Sequence, residues 1–313
     1  PKKKRSKTNW TPIWHSFLEK SLDLLNDNGY MCVIVPASWL KYDELNMYNT
    51  LTQYKIHKME CFTSYETYKV FCKKVQIPCT MFLLQKKPTD FVIPILDNVT
   101  NEYVEHKLSV PFRSIPMKNI GILNRLLEYT EKYGSLSKYV MVTPLPARKF
   151  DFKEKSTREY CYKNIKSCTL HKGKPEFNYC WSKKTGPFYC FGLPKLILAH
   201  SVYGFPCFDK EGTIGISTRG KFVFLGNKTY LQNLHTVLNL KSVQYLFVST
   251  QYRMRFLDKS IFDFLPDFNN IPGFSFESIT DEYFCTFFGL SALEKKSILE
   301  TRLYKHEPEI ILI

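Results

Sequence analysis

The apolar pattern predicts an amphipathic helix and then a buried strand near the start of the chain. Phe17, Leu18 and Leu22 recur at helical spacing, and Gly29 suits the end of this helix because glycine adopts a positive φ without strain. The run Tyr30–Val35 lacks polar alternation, so we expect it inside a parallel sheet with helices on both faces. We therefore also expect it to have neighbours that these residues do not supply.

Further alternation predicts the second half of an α/β sheet, with strands over Lys55–Phe62 and Gln76–Gln85. The segment KKPTDFVIP breaks this pattern and predicts a domain boundary near residues 88–110. Beyond it we expect helices over Asn119–Lys132, Tyr230–Leu240 and Lys241–Ser249, short strands in LPKLILAHS, GTIGIST and KFVFLG, and two tail helices with Thr280 and Ser291 as N-caps. The predicted parts are residues 1–100, 101–270 and 271–313.

Charge changes this picture by indicating a polyanionic partner. The chain of 313 residues has 44 Lys and Arg against 29 Asp and Glu, which gives a formal net charge of +15. Because no apolar run is long enough to span a bilayer, we expect nucleic acid as the partner and no membrane. No secretory signal is visible, which favours the cytoplasm or nucleus.

The 10 cysteines lie mostly in core-like runs, as in YMCVIV and IPCTMF, which is typical of buried thiols in a reducing compartment. Cys161, Cys168, Cys180 and Cys190, with His171 among them, are the only group that invites a test for a metal site. Their spacing contains no close Cys pair, so unpaired structural thiols are the favoured interpretation and we predict no metal.

Several blocks in order resemble the adenine-specific DNA methyltransferases of restriction-modification systems. FLEKSLDLLNDNGYMCVIVPASWL resembles the helix and strand after that family's Asn-Pro-Pro-Tyr/Phe motif, and VFCKKVQIPCTMFLLQKK resembles its late catalytic-domain motif. GLPKLILAHSVYGFPCFDKEGTIGIST and LQNLHTVLNLKSVQYLFVSTQYRMRFLDKSIFDFLPDF resemble its target-recognition domain. The resemblance implies the C-terminal half of a Rossmann-like methyltransferase sheet followed by an α+β recognition domain. A viral or a bacterial source would suit such a system.

The resemblance also implies parts that this sequence lacks. Neither an Asn-Pro-Pro-Tyr/Phe motif nor a glycine-rich turn for S-adenosylmethionine occurs in the chain, and in the family both precede the matching blocks. We therefore expect an N-terminal half, in a longer product or a partner chain, to hold the cofactor, and the catalytic residues to lie upstream of Pro1. Asp43 and Glu44 follow the first strand as acid-base candidates, although the dipole of a helix explains them equally well.

The resemblance assigns one base-stacking candidate. Phe71 in VFCKK occupies the position of the aromatic residue that stacks on a flipped adenine, and Lys73 and Lys74 follow at the family's spacing. A core phenylalanine and two solvated lysines are the alternative interpretation.

Basic and aromatic positions supply the candidates for contact with double-stranded DNA. The Arg219 side chain is favoured for base contact because it follows a strand in a tight glycine turn. The full set, each member of which could equally be a solvated surface charge, is Lys3, Lys4, Arg5, Lys73, Lys74, Arg148, Lys172, Lys174, Lys195, Arg219, Lys221, Tyr252, Arg253 and Arg255.

Two function classes follow. The first is an adenine-N6 DNA methyltransferase that uses S-adenosylmethionine, and the second is a non-catalytic DNA-binding or structural protein with a methyltransferase-like frame. An RNA-binding module is less favoured because no small RNA-binding fold is recognisable in the sequence.

Overall fold

The computed structural model describes most of the chain. The described residues are 13–42, 45–109, 112–143, 151–171, 174–183, 191–199, 204–216, 221–253 and 257–301. They form a mixed α/β structure with several sheets, as the sequence predicted.

The first sheet is built from apolar segments in the first third of the chain. Its strand order is β1-β3-β2-β4-β5, with β1 antiparallel to β3, β3 antiparallel to β2, and β2 parallel to β4. Its strands and accompanying helices are α1 (Trp14–Leu24), β1 (Tyr30–Pro36), α2 (Met47–Thr52), β2 (Tyr54–Phe62), α3 (Ser64–Val70), β3 (Cys79–Pro88), β4 (Val92–Leu96) and β5 (Tyr103–Lys107).

The predicted elements of this sheet occur within a few residues of their expected bounds. The end of α1 differs most, because the helix stops at Leu24 and the positive φ falls on Asn28 and not on Gly29. Strand β3 begins at Cys79 instead of Gln76 because the chain bends at Ile77. Strands β4 and β5 extend the sheet beyond residue 100, the expected end of the first part.

The environment of β1 differs from the expectation of a strand buried on both faces. Met31 and Val35 face the core, whereas Tyr30 and Ile34 on the other face are 59% and 48% exposed. Among the described strands, β1 lies at the end of the sheet and pairs only with β3. The apolar side chains on the outer face of β1 are therefore not explained by burial among the described residues.

Helix α1 packs on the sheet through Leu18 and Leu22 and is fixed at its C-terminal end by a lysine. The Lys86 ammonium on β3 donates to the carbonyls of Leu22 and Leu25 at 2.8 and 2.7 Å. A cation at this end of a helix satisfies carbonyls that the helix leaves without partners.

The middle of the chain forms two further sheets. Their strands are β6 (Val140–Val142), β7 (Phe152–Lys153), β8 (Tyr162–His171), β9 (Lys174–Ser182), β10 (Lys195–Ala199), β11 (Pro206–Asp209), β12 (Gly215–Ile216) and β13 (Lys221–Leu225). The second sheet has the order β11-β10-β13-β6 and the third β12-β8-β9-β7. Ile165, Ile197, Ile216 and Val223 form an apolar cluster that both sheets share.

Helices before and after these sheets form the largest core. They are α4 (Ile120–Tyr133), α5 (Lys228–Leu238), α6 (Lys241–Leu246), α7 (Ile261–Phe264), α8 (Asp281–Phe287) and α9 (Ala292–Glu300). Phe262 on α7 packs edge-on against Phe222 and Phe224 of β13 with ring centroids 5.4 and 5.3 Å apart. The predicted caps are confirmed, because the Thr280 hydroxyl accepts from the Tyr283 N–H and Ser291 forms a capping box.

A buried polar seam joins the first sheet to the helical core. The Asp97 carboxylate accepts from the Gly121 N–H at 3.2 Å, and the Asn98 side chain accepts from the Asn119 N–H at 2.6 Å. The Asn119 amide in turn donates to the Ser249 hydroxyl at 2.9 Å. Because Asp97, Asn119 and Ser249 are buried, separating these parts would expose them or leave them unsatisfied.

Candidate functional site

The strands of the first sheet bring two loops together at one edge. Pro36 at the end of β1 and Phe62 at the end of β2 both lie opposite Cys79, the first residue of β3. The segments that follow β1 and β2 therefore meet at this edge. In α/β sheets the carboxyl ends of strands are where ligand sites form.

Helix α3 is anchored at this edge by its first turn. The Thr63 hydroxyl accepts from the Glu66 N–H, and the Glu66 carboxylate accepts from the Thr63 N–H at 2.7 Å. Burial of the Glu66 carboxyl opposes its ionisation, but the Lys118 ammonium 3.0 Å away and the Thr63 hydrogen bonds outweigh it, so the pKa of Glu66 is lowered. The anionic cap suits the positive end of the helix.

The end of α3 holds the predicted stacking residue in an unusual turn. Cys72 and Lys73 have φ of 49° and 68°, a region that side chains with a Cβ adopt at a cost. The Lys73 N–H donates to the Tyr68 carbonyl at 2.7 Å, and the Lys74 N–H donates to the Phe71 carbonyl at 3.0 Å. These bonds close the helix and fix the backbone of the turn.

This turn displays Phe71, Lys73 and Lys74 together. The Phe71 side chain is 36% exposed and both lysines are exposed. A half-exposed ring beside two cations can stack on a base and approach its phosphates. The strained backbone, which the sequence did not reveal, adds a physical reason to treat this turn as functional.

A buried hydrogen bond and a ring contact link the segment after β1 to the start of β3 at this sheet edge. The Trp39 indole N–H donates to the Thr80 hydroxyl at 2.7 Å, and the Trp39 ring contacts Phe82. Burial raises the pKa of the Cys61 thiol to about 12 and also raises the pKa of Cys79. Both cysteines are therefore neutral thiols at this edge, unsuited to nucleophilic chemistry.

Three predicted DNA contacts lie inside the protein and need correction. Lys195 is fully buried, and its ammonium pairs with the Asp209 carboxylate at 2.6 Å. Lys221 is 4% exposed, and burial lowers the pKa of its side chain. The ring of Tyr252 is buried and its hydroxyl donates to the Ile115 carbonyl at 2.8 Å. Because these side chains do not reach the surface, they leave the set of candidate phosphate contacts.

The remaining candidates divide between exposed residues and undescribed ones. Lys174 at the start of β9 and Arg253 are exposed, as DNA contact requires. Seven further candidates lie outside the described residues, namely Lys3, Lys4, Arg5, Arg148, Lys172, Arg219 and Arg255. The acid-base candidates Asp43 and Glu44 also lie outside them.

The cysteine group gives no metal centre in the part of the chain that the structure describes. Cys161 is exposed, Cys168 and Cys180 are buried, and Cys190 lies outside this part. No cluster of three or more His, Cys, Asp or Glu side chains suited to a metal ion occurs among the described residues.

The comparison with known families concerns the elements that build this edge. Residues 1–71 match the family model of the Eco57I restriction-modification methylase. This match supports a relationship to restriction-modification methyltransferases, over a segment that contains β1, β2 and α3 and ends at Phe71. None of the curated proteins matches the chain.

The length and hydropathy of the helices bear on membrane insertion. None of the helices in the described ranges is both long and apolar enough to cross a membrane.

Proposed function

We propose that this chain forms the C-terminal part of the catalytic sheet and the target-recognition domain of an S-adenosylmethionine-dependent DNA adenine-N6 methyltransferase. The observation that carries this proposal is the open apolar face at β1, in the segment that matches the methylase family. The reaction proposed is direct methyl transfer to an adenine flipped out of the duplex.

The outer face at β1 has the properties of a surface awaiting more sheet and helix. Tyr30 and Ile34 are exposed on the outer face of β1, and Ile13, Phe17 and Leu24 are each more than two thirds exposed around α1, which packs on the opposite, core-facing side of the strand. Large contiguous apolar patches and open apolar strand edges mark interaction sites or aggregation hazards in stable proteins. We assign the outer face of β1 and the exposed side of α1 to contact with the half of the protein that holds the cofactor.

The residues present do not form a cradle for S-adenosylmethionine, since the sequence has no glycine-rich turn of the kind that binds it. No residue of this chain is therefore assigned to the cofactor, and no chemical step is assigned to a side chain here. The proposed contribution of this chain is to hold and orient the DNA.

The turn after α3 supplies the proposed hold on the flipped base. Removing a base from the stack costs a few kcal/mol, and stacking on an aromatic ring returns about 1–3 kcal/mol per base. The ring of Phe71 is proposed to stack on the adenine, while Lys73 and Lys74 contact the flanking phosphates.

The test is transfer of a tritiated methyl group to unmodified duplex DNA, by the full-length product or by this chain with its natural partners. Transfer that is abolished when adenine is replaced by 2-aminopurine at the target position is the expected result. DNA binding with no transfer on any duplex would overturn the catalytic proposal and favour the non-catalytic DNA-binding protein.

A further inference from the structure

The hairpin of β8 and β9 carries a polar face that the function proposed above does not use. Cross-strand partners in its outer half are Ser167 with Asn178, Thr169 with Glu176, and His171 with Lys174. Partners directly opposite each other share a face of the sheet, and so do residues two apart on one strand. All six therefore lie on one face, which we call the polar ladder.

The other face of the hairpin fixes the polar ladder to the protein. Cys168 is buried, and its cross-strand partner Phe177 packs against the apolar cluster shared by the two sheets. A bulge between Ile165 and Ser167 allows Ile165 and Cys168 both to face inward. The polar ladder consequently points away from the core, with Thr169, His171, Lys174 and Glu176 exposed and the other two half-buried.

The polar ladder is internally hydrogen-bonded at its inner end. The Asn178 amide donates to the Ser167 hydroxyl at 3.3 Å and to the Thr169 hydroxyl at 3.2 Å. The Thr169 hydroxyl in turn donates to the Glu176 carbonyl at 3.4 Å. Such a network holds side chains in fixed positions, which lowers the entropic cost of binding a second partner.

We propose that the polar ladder reads base edges in the major groove of duplex DNA. The major groove is about 12 Å wide and admits a two-stranded β-ribbon. The side-chain types suit this role, because the Asn178 amide oxygen can accept from the amino group of adenine while its N–H groups hold Ser167 and Thr169. Lys pairs with guanine, Glu with the amino group of cytosine, and Ser or Thr with several edges. From Ser167 to His171 the ladder spans about 14 Å, or about four base pairs.

Charge around the hairpin fits DNA as the partner. Lys153 lies on β7 and Lys183 directly follows β9, where it pairs with Glu159, and the chain has a net charge of +15. Glu176 is the one carboxylate of the polar ladder itself, and a carboxylate on a surface that contacts only phosphates would be repelled. A carboxylate aimed at a base edge instead gains specificity by accepting from cytosine.

This inference rests on the proposed function and is tested by selecting preferred sequences from a random duplex library with the full chain. Glu176→Gln is the main variant because it preserves shape and removes one charge. The preference at one or two positions, inside a window of about four base pairs, is expected to change by about tenfold, while affinity for random duplex changes less than about threefold.

Two further variants keep the test decisive. Asn178→Ala is expected to relax selectivity at a position within the same window, and its melting temperature shows whether the hairpin remains folded. Lys174→Met removes the lysine of the polar ladder and is expected to relax the preference for guanine at one position, whereas an equal loss for all sequences would show that Lys174 contacts phosphate and not a base.

The outcomes separate the two proposals. If the wild-type chain selects a sequence and folded Glu176→Gln and Asn178→Ala keep the same preference, the polar ladder does not read bases, although the methyltransferase proposal stands. If the wild-type chain binds duplexes without any sequence preference, the polar-ladder proposal alone is overturned; if it binds no duplex, both proposals are overturned.

Discussion

Replacing Lys195 with methionine distinguishes a structural lysine from a DNA contact. The Lys195 ammonium pairs with Asp209 at 2.6 Å and donates to the Leu193 carbonyl at 3.3 Å. The same carboxylate accepts from the N–H groups of Thr213 and Ile214 at 3.0 and 2.8 Å. Without the lysine, Asp209 becomes a buried charge that keeps only its neutral donors.

The magnitude follows from the burial of both partners, which are 0% and 3% exposed. Removing one partner of a buried pair costs about 3–5 kcal/mol. At about 2–4 °C per kcal/mol for parts of this size, the melting temperature is expected to fall by roughly 10 °C. Lys195→Met combined with Asp209→Asn is expected to recover only part of this loss, because no charge remains buried but the single amide oxygen accepts from one of the two backbone N–H groups while the amide NH2 faces the other.

The assay combines thermal unfolding with DNA affinity at several salt concentrations. Folded Lys195→Met is expected to keep the wild-type salt dependence, because a buried ammonium neutralises no phosphate. Lys174→Met, an exposed control, is expected to melt like the wild type. A Lys195→Met protein that melts at the wild-type temperature and loses about 0.9 from the slope of log affinity against log salt would refute the reasoning.

Two further predictions concern the first sheet. Phe71→Ala is expected to lower methyl transfer about tenfold or more while duplex affinity changes less than about threefold, and Phe71→Trp is expected to retain transfer; equal losses with a lower melting temperature would indicate a core residue instead. Burial lowers the pKa of His106 from 6.5 to about 4. Between these pH values the unfolded chain is protonated at His106 and the folded chain is not, so the free energy of unfolding falls as pH drops from about 6.5 to 4, by at most about 3 kcal/mol. His106→Gln is expected to flatten this pH dependence in urea titrations, and an unchanged curve would contradict the assignment.

Local signals in the sequence identified much of the fold. The existence of α1, the bounds of β1 and β2 and the caps at Thr280 and Ser291 were predictable because periodicity and capping depend on neighbouring residues. The antiparallel pairing of β1 with β3 joins segments about 50 residues apart in sequence, and no local pattern encodes that choice.

The candidate site was predictable only in part, for the same reason. Phe71 and its lysines were found through a motif, whereas the positive φ of Cys72 and Lys73 and the pairing of Glu66 with Lys118 required coordinates. Lys195 was misassigned because its partner, Asp209, lies on the neighbouring strand, so the sequence showed a cation without its counter-charge.

The polar seam at Asp97, Asn119 and Ser249 has a consequence for how the two proposed activities would relate along a DNA molecule. Because these hydrogen bonds link the sheet that presents Phe71 to the helical core, the distance between the base-stacking turn and the rest of the protein would be fixed. The recognised bases and the modified adenine would then keep a constant offset, which one inserted base pair would put out of phase.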